Sequence, residues 1–257
     1  ENPMTIGFKT YYEGPKVLKS SQGAFKNLSG MGKVCKKIFA LDAKNEGYGY
    51  PIDGLIFMPM YFPVKSLTES PVHPIGGRWD VNYKWKPPEE NTIDFKVVFE
   101  KVKYQGHLVD KVTSTTLEGE VVSCKQVSLI VGYNETDDPT SDFAWKVMTG
   151  HTSKPLKEIP FRPESESSDR ALHLCHLPIV EGKVLCQRDG VELKDGMIVE
   201  MQYAPTQPEG AQWIPLRERA DKKEPQYFRV ANNVWDTIMN PVTLGMIQGK
   251  PKELQGV

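Results

Sequence analysis

The sequence predicts an α+β chain: a mixed first domain, then a small β-barrel, then a helical tail. Three observations carry that expectation. At 257 residues and 29.0 kDa the chain is long enough for two domains of ordinary size. Residues 91–99 alternate cleanly, with Ile93, Phe95, Val97 and Phe99 turned to one face, as a half-buried strand requires. From about residue 100 short strand-like runs follow one another without a clear helix, and the loops between them are rich in Asp, Ser, Gly and Pro.

In chain order, residues 4–12 read as a strand. Residues 15–41 place Val17, Leu18, Phe25, Leu28, Val34 and Ile38 at loosely helical spacing, interrupted by Gly23, Gly30 and Gly32. Residues 50–58 read as a buried strand, and a Pro- and Ser-rich excursion over 63–77 leads to a second strand at 82–85. Beyond the alternating strand, further strands are expected at 119–132, 171–177, 183–187, 197–203 and 211–219. Residues 230–239 read as a helix that stops before Pro241. No internal repeat is evident, and only the acidic loop 164–169 is low in complexity.

Composition narrows the function classes. Hydrophobic residues are 39%, charged 25% and aromatic 10%, a globular balance that excludes disorder as the default state. No apolar run is long enough to span a membrane. The opening Glu1-Asn2-Pro3-Met4 carries no basic-then-apolar leader, and a start of this kind is expected of a piece of a longer polypeptide. Lys plus Arg is 32 against 33 Asp plus Glu, a net charge of −1 that argues against a dedicated nucleic-acid coat protein. The balance is uneven: residues 1–111 hold 16 basic and 12 acidic side chains, the remainder 16 and 21, which is compatible with a phosphate site. Cys35, Cys124, Cys175 and Cys186 are scattered, as small buried hydrophobes of a reducing compartment are. The sequons at Asn27 and Asn134 read as chance.

Three strings carry candidate chemistry. Asp53-Gly54-Leu55-Ile56-Phe57 puts a carboxylate at the open end of an apolar strand, although aspartate-glycine before a strand is also ordinary turn chemistry. In Lys84-Trp85-Lys86, strand alternation sets two ammonium groups on one face and Trp85, with Tyr83, on the other. Adjacent ammonium groups repel unless an anion sits between them; a solvated strand face is the plain alternative. In the run Trp213 to Lys222, period two aligns Arg217, Arg219 and Asp221, and arginine forks suit bidentate contact to phosphate oxygens. A surface salt-bridge ladder would look similar. Gly30-Met31-Gly32-Lys33 lacks the Ser or Thr that a phosphate loop needs for magnesium, and Val34 stands there instead. His173-Leu174-Cys175-His176 splits its ligands between two strand faces and has no second pair to complete a zinc site.

Taken in order, these strings resemble motifs of the lysine-dependent covalent nucleotidyltransferases, the superfamily of DNA ligases, RNA ligases and mRNA capping enzymes. DGLIF (53–57) looks like motif IV, KWKPPEENTIDF (84–95) like motif V in its capping form, and WIPLRERADK (213–222) like capping motif VI. FKTYY (8–12) is a loose match for motif IIIa. The tail 230–243 is similar to the stretch that leads toward an N7-methyltransferase in capping enzymes of large DNA viruses. The resemblance covers nearly the whole chain, although residues 100–210 match by position more than by motif. The superfamily's Lys-x-Asp-Gly nucleophile is the main departure. Lys44-Asn45-Glu46-Gly47 lies too close to Asp53 and reads as a turn, and Lys194-Asp195-Gly196 lacks the spacer residue.

The resemblance implies the C-terminal part of a nucleotidyltransferase domain (1–98, motifs IIIa, IV and V), an OB-fold β-barrel (99–229, motif VI) and a helical tail or linker (230–257). It implies an mRNA 5′-cap guanylyltransferase that transfers GMP from GTP, through a lysyl-GMP intermediate, to a 5′-diphosphate RNA end. In that reading Lys84 and Lys86 hold the α-phosphate, and Arg217, Arg219, Asp221 and Lys222 swing in to orient the β- and γ-phosphates. Phe8 and Lys9 line the guanosine pocket, and Asp53 helps bind Mg2+ or Mn2+. The implied partners are GTP, the 5′ end of nascent RNA and the rest of a larger capping polypeptide. That remainder comprises the upstream nucleophile segment, a triphosphatase and an N7-methyltransferase. No membrane is implied; the expected location is cytoplasmic, in a viral factory or virion, or nuclear for a cellular enzyme. Two rivals stand beside this reading, an ATP-dependent polynucleotide ligase and a non-catalytic nucleotide- or RNA-binding scaffold.

Overall fold

The computed structural model describes residues 32–40, 52, 54–58, 82–134, 156–167 and 170–247. The expected strand at 4–12, the excursion at 63–77, and Phe8, Lys9, Lys44 and Asp53 lie outside the described residues. Two compact units divide the chain: Glu1–Pro88 with Val242–Val257, and Glu89–Pro241.

In the first unit, residues 32–40 are helical and bury Cys35. β1 (Leu55–Phe57) pairs antiparallel with β2 (Tyr83–Trp85), setting Leu55 opposite Trp85 and Ile56 opposite Lys84. Trp85 fixes this hairpin. Its ring meets Phe39 edge-on at 5.6 Å, and its indole N–H donates to the Val242 carbonyl at 2.6 Å. Gly54 permits the approach of the two strands: a Cβ there would fall inside contact distance of the Trp85 carbonyl oxygen and 3.1 Å from Lys86 Cγ.

The second unit is mostly sheet. Among the described residues its strands are β3 (Thr92–Phe99), β4 (Lys101–Tyr104), β5 (His107–Asp110), β6 (Val112–Leu117), β7 (Glu120–Tyr133), β8 (Lys157–Pro160), β9 (Leu174–Pro178), β10 (Ile198–Tyr203) and β11 (Trp213–Glu218). β4 and β5 form a separate hairpin, and the others make one antiparallel sheet about β7. Cys124, Val127 and Ile130 each have two ladder partners, so β3 and β6 lie along one edge of β7, and β8 and β9 along the other. β10 and then β11 extend the sheet beyond β3. The hairpins β4–β5 and β6–β7 turn through Gln105-Gly106 and Glu118-Gly119, all four residues with positive φ. That is the two-residue turn whose twist matches the strands it joins.

The expected alternation of β3 holds: Ile93, Phe95, Val97 and Phe99 are all buried. Phe95 packs against Phe161 and Trp213 with ring centres 5.1 and 5.0 Å away, and Tyr203 bridges Trp213 and Trp235 at 5.0 and 4.8 Å. Trp235 reaches this aromatic core from the helix Phe228–Met239, one turn after the equally buried Ala231. The expected tail helix is thus present and starts two residues earlier than predicted.

Two expectations are corrected. The sheet does not close into a barrel among the described residues. β9 does touch the start of β11 and the loop before it: the Cys175 thiol donates to the Trp213 carbonyl at 3.4 Å, and His176 N–H donates to the Gly210 carbonyl at 2.7 Å. No ladder joins them. Pro215 has no N–H to offer, and the Pro215 and Leu216 carbonyls already accept from the N–H groups of Gln187 and Arg188 at 2.9 and 2.7 Å. The strand expected at 183–187 is that cover. Lys183 and Leu185 make only isolated bridges, to Val180 and Glu192.

Candidate functional site

β11 delivers the cationic run to one face of the second unit, and a bulge sets its aim. Glu200 lies opposite Arg217 but Met201 lies opposite Pro215, which leaves Leu216 as the extra residue. Strict alternation from the buried Trp213 and Pro215 would have turned Arg217 inward; the bulge buries Leu216 instead and turns Arg217 out. Arg219 follows just past the strand, and Asp221 and Lys222 lie in the turn beyond it.

Two buried carboxylates receive these cations. Asp94 on β3 and Glu200 on β10 are directly opposite each other, and Arg217 is opposite Glu200 in turn. Like charges set across a sheet repel, so the pair needs counter-ions. Arg217 Nε donates to Glu200 at 2.6 Å, and Thr92 Oγ1 donates to the other carboxylate oxygen at 2.8 Å. Arg219 donates from one terminal nitrogen to both Asp94 oxygens, at 3.0 and 2.9 Å, and Lys222 donates to Asp94 as well. Arg219 turns its remaining nitrogens, Nε and the second terminal NH2, on Asp221 at 2.9 Å each.

The arrangement separates the roles that the three cations can take. Arg219 is 19% exposed and every nitrogen has a carboxylate partner. Arg217 is 50% exposed, and its two terminal nitrogens have no partner among the described residues. Burial pushes the Glu200 carboxyl up, but hydrogen bonds from Arg217 and Thr92, with the charges of Arg217 and Arg188, hold it below the usual carboxylate range. The Arg219 fork holds the exposed Asp221 carboxyl down to about 2. Chemically, this is a charge-balanced cluster of three cations on three carboxylates, whose outward donors belong to Arg217 and whose most exposed anion is Asp221.

The first unit carries the other predicted cations. Lys84 is exposed on β2, opposite Ile56, and Lys86 follows one residue past the strand. Tyr83 shares the strand face of Trp85, as alternation requires, but is itself exposed, and Trp85 makes the packing contacts. Phe8, Lys9 and Asp53 lie outside the described residues, so the pocket and metal assignments rest on sequence. Among the described residues no group of three His, Cys, Asp or Glu could hold a metal ion. Asp94 and Glu200 do not fit one, because their oxygens are engaged by Arg219, Lys222, Arg217 and Thr92. Cys175 of the His-Leu-Cys-His string is buried in the core, and burial pushes its thiol up to about 12.

Sequence reasoning missed Asp94 and Glu200. The available signal was an acid inside each of two otherwise apolar strand cores, Ile93-Asp94-Phe95 and Val199-Glu200-Met201.

Comparison with known proteins gives concordant matches. Residues 90–247 match the family described as mRNA capping enzyme, C-terminal domain. The chain is 26% identical over 228 residues to a probable mRNA-capping enzyme of Acanthamoeba polyphaga mimivirus, an alignment that covers 82% of this chain and 17% of that protein. It is 27% identical over 195 residues to an mRNA-capping enzyme of Caenorhabditis elegans, covering 76% of this chain and 20% of the relative. An mRNA-capping enzyme subunit alpha of Candida glabrata is 27% identical over 198 residues, covering 75% of this chain and 38% of the relative. The chain therefore spans well under half the length of these relatives.

Proposed function

Since the chain belongs to the family of mRNA capping enzyme C-terminal domains, we propose that it acts within an mRNA 5′-cap guanylyltransferase and that its cations manage the triphosphate of GTP. In the first step a lysine amine attacks the α-phosphorus, a P–N bond forms, the bond to the β-phosphate breaks and pyrophosphate leaves. In the second, an oxygen of a 5′-diphosphate RNA end attacks, and the P–N bond breaks to restore the lysine. We assign the nucleophile to no residue of this chain. The chemical difficulty is charge building on phosphoryl oxygens, so the protein contributes alignment and electrostatic stabilisation.

In this reading Lys84 and Lys86 neutralise the α-phosphate. Arg217 orients the β- and γ-phosphates through its outward nitrogens, and Arg219 joins it by exchanging the exposed Asp221 for a phosphate oxygen while Asp94 keeps its other side in place. Lys222 stays with Asp94 and supports Arg219. A divalent cation, which sequence assigns to Asp53, would add positive charge at the phosphates. The observation that carries the proposal is the arginine pair of β11: forks held on buried carboxylates with Arg217 left facing outward. An OB-like module fits the five-stranded run β11-β10-β3-β7-β9 in its open form.

The test uses the intact capping polypeptide in single-turnover assays. Contacts to the β- and γ-phosphates vanish once pyrophosphate leaves, so Arg217→Ala should slow attack on GTP far more than transfer from a preformed lysyl-GMP. Loss of one charge-assisted contact made mainly in the transition state costs about 2–4 kcal/mol, roughly thirty- to a thousand-fold in rate. Lys84→Ala and Lys86→Ala should abolish adduct formation at unchanged melting temperature. Equal slowing of both steps by Arg217→Ala, or normal adduct formation in the lysine variants, would sink the assignment.

A further inference from the structure

The β4–β5 hairpin has no part in the guanylyl-transfer reading, and its surface is unlike the rest of its unit. Seven of its eight strand residues are exposed, from Lys101 through Val109, and only Asp110 is half-buried. The register sorts it into two faces. Tyr104 pairs with His107 next to the turn, and Val102 pairs with Val109 two steps further in. Lys111 continues the same alternation just past the hairpin. The opposite face carries Lys101, Lys103 and Leu108. Tyr104 is 63% and Leu108 69% exposed, so rings and aliphatic groups face water at the tip. A hairpin this exposed is normally frayed, but its root is braced. Asp110 takes Lys101 at 2.5 Å and Lys125 at 2.9 Å, and Lys101 also reaches Asp195 at 3.4 Å.

We propose that this hairpin is a stacking platform for single-stranded RNA, the strand trailing behind its own 5′ end. The identity of the strand rests on the capping reading; the platform rests on the hairpin. Tyr104 and His107, directly opposed on one exposed face, supply two rings on which bases can stack, and Val102 with Val109 continues that face with apolar groups. Lys103 and Lys111 make no ion pair among the described residues, and they bracket the rings on either face. A protein-docking face would place few lysines around its apolar centre. Residues 89–241 hold 18 basic and 25 acidic side chains, so a polyanion is repelled by most of this unit and drawn to such a cationic bracket.

The experiment is fluorescence anisotropy of the 257-residue chain with a short unstructured RNA that carries a 3′ label and a 5′-hydroxyl. Such an end cannot accept GMP, so the result is independent of whether guanylyl transfer is the activity. Tyr104→Ala should weaken binding about tenfold, within the range for loss of one stacked base, while Tyr104→Phe keeps it. The pair Lys103→Glu and Lys111→Glu should weaken binding and reduce the slope of log affinity against log salt by about 1.4, two phosphate contacts' worth for a single strand. Lys183→Ala, on a separate turn, should change nothing. The proposal is overturned if the wild-type chain does not bind this RNA, or if both hairpin variants bind it normally. It is equally overturned if those variants bind RNA normally but lose a self-association seen by sedimentation, which would make the hairpin a protein contact.

Discussion

Glu200 shows how a buried acid at this site works. Its side chain is 10% exposed, and its carboxyl is held below the usual range despite burial, because Arg217 and Thr92 donate to the charged form. A depressed folded-state value means stability that is fully present above the ordinary glutamate range and lost as pH falls through the lower value. Glu200→Gln should therefore cost about 1–2 kcal/mol at neutral pH, allowing for the half-exposure of Arg217. The gap to wild type should close as urea unfolding is repeated below about pH 4. A gap that stays constant into acid would show that Glu200 contributes shape rather than charge. The cationic half of this cluster was legible in sequence, because Arg217, Arg219 and Lys222 form a dense run. The acidic half was hidden, since Asp94 and Glu200 occupy the strand positions that period two assigns to solvent. They are buried because the cationic run folds over them.

Among the elements, β1 and β2 illustrate why glycine follows Asp53. Turn chemistry explains an aspartate-glycine pair, but the structure gives a stricter reason: the Trp85 carbonyl occupies the space a side chain at Gly54 would need. Gly54→Ala should force β1 and β2 apart and destabilise the first unit by about 1–3 kcal/mol. Because Trp85 would lose its seat against Phe39, a shift in tryptophan fluorescence should report the change in native protein. Native fluorescence and a melting temperature like wild type would mean that the hairpin relaxes at no cost. Alternation predicted β3 and β10 because each buries one face. It failed at 183–187 for a related reason: Val184 and Cys186 do point inward, yet the backbone covers the edge of β11 instead of joining a ladder. Period two reports which side chains are buried, and it says nothing of where the N–H groups go. β4 and β5 show no alternation because they bury no face, and β6 alternates only weakly, its half-buried face being Thr113, Thr115 and Leu117. Their signal was the turn, Gln105-Gly106 and Glu118-Gly119, a residue followed by glycine between short β-prone runs.

At the scale of the molecule, the chain passes between its compact units at Pro88 and Pro241, and the order of motifs along it was enough to identify the family. That the sheet stays open among the described residues was not legible, because closure depends on how two strand edges meet after the sheet has formed. The strand pairings set an order of events in folding. The hairpins β4–β5 and β6–β7 join neighbours in sequence, and contacts of that kind form in microseconds. The Asp94 contacts with Arg219 and Lys222 span 125 and 128 residues, and loops that long close late. Interactions absent from the folding transition state act almost wholly on the rate of unfolding. In stopped-flow experiments Asp94→Ala should therefore unfold faster than wild type while refolding at nearly the same rate; slower refolding by the full stability loss would place the pairing of β3 with β10 before the barrier. Asp94 is then a lock that closes after the fold is made, and the time Arg219 and Lys222 stay assembled is set by how slowly it opens.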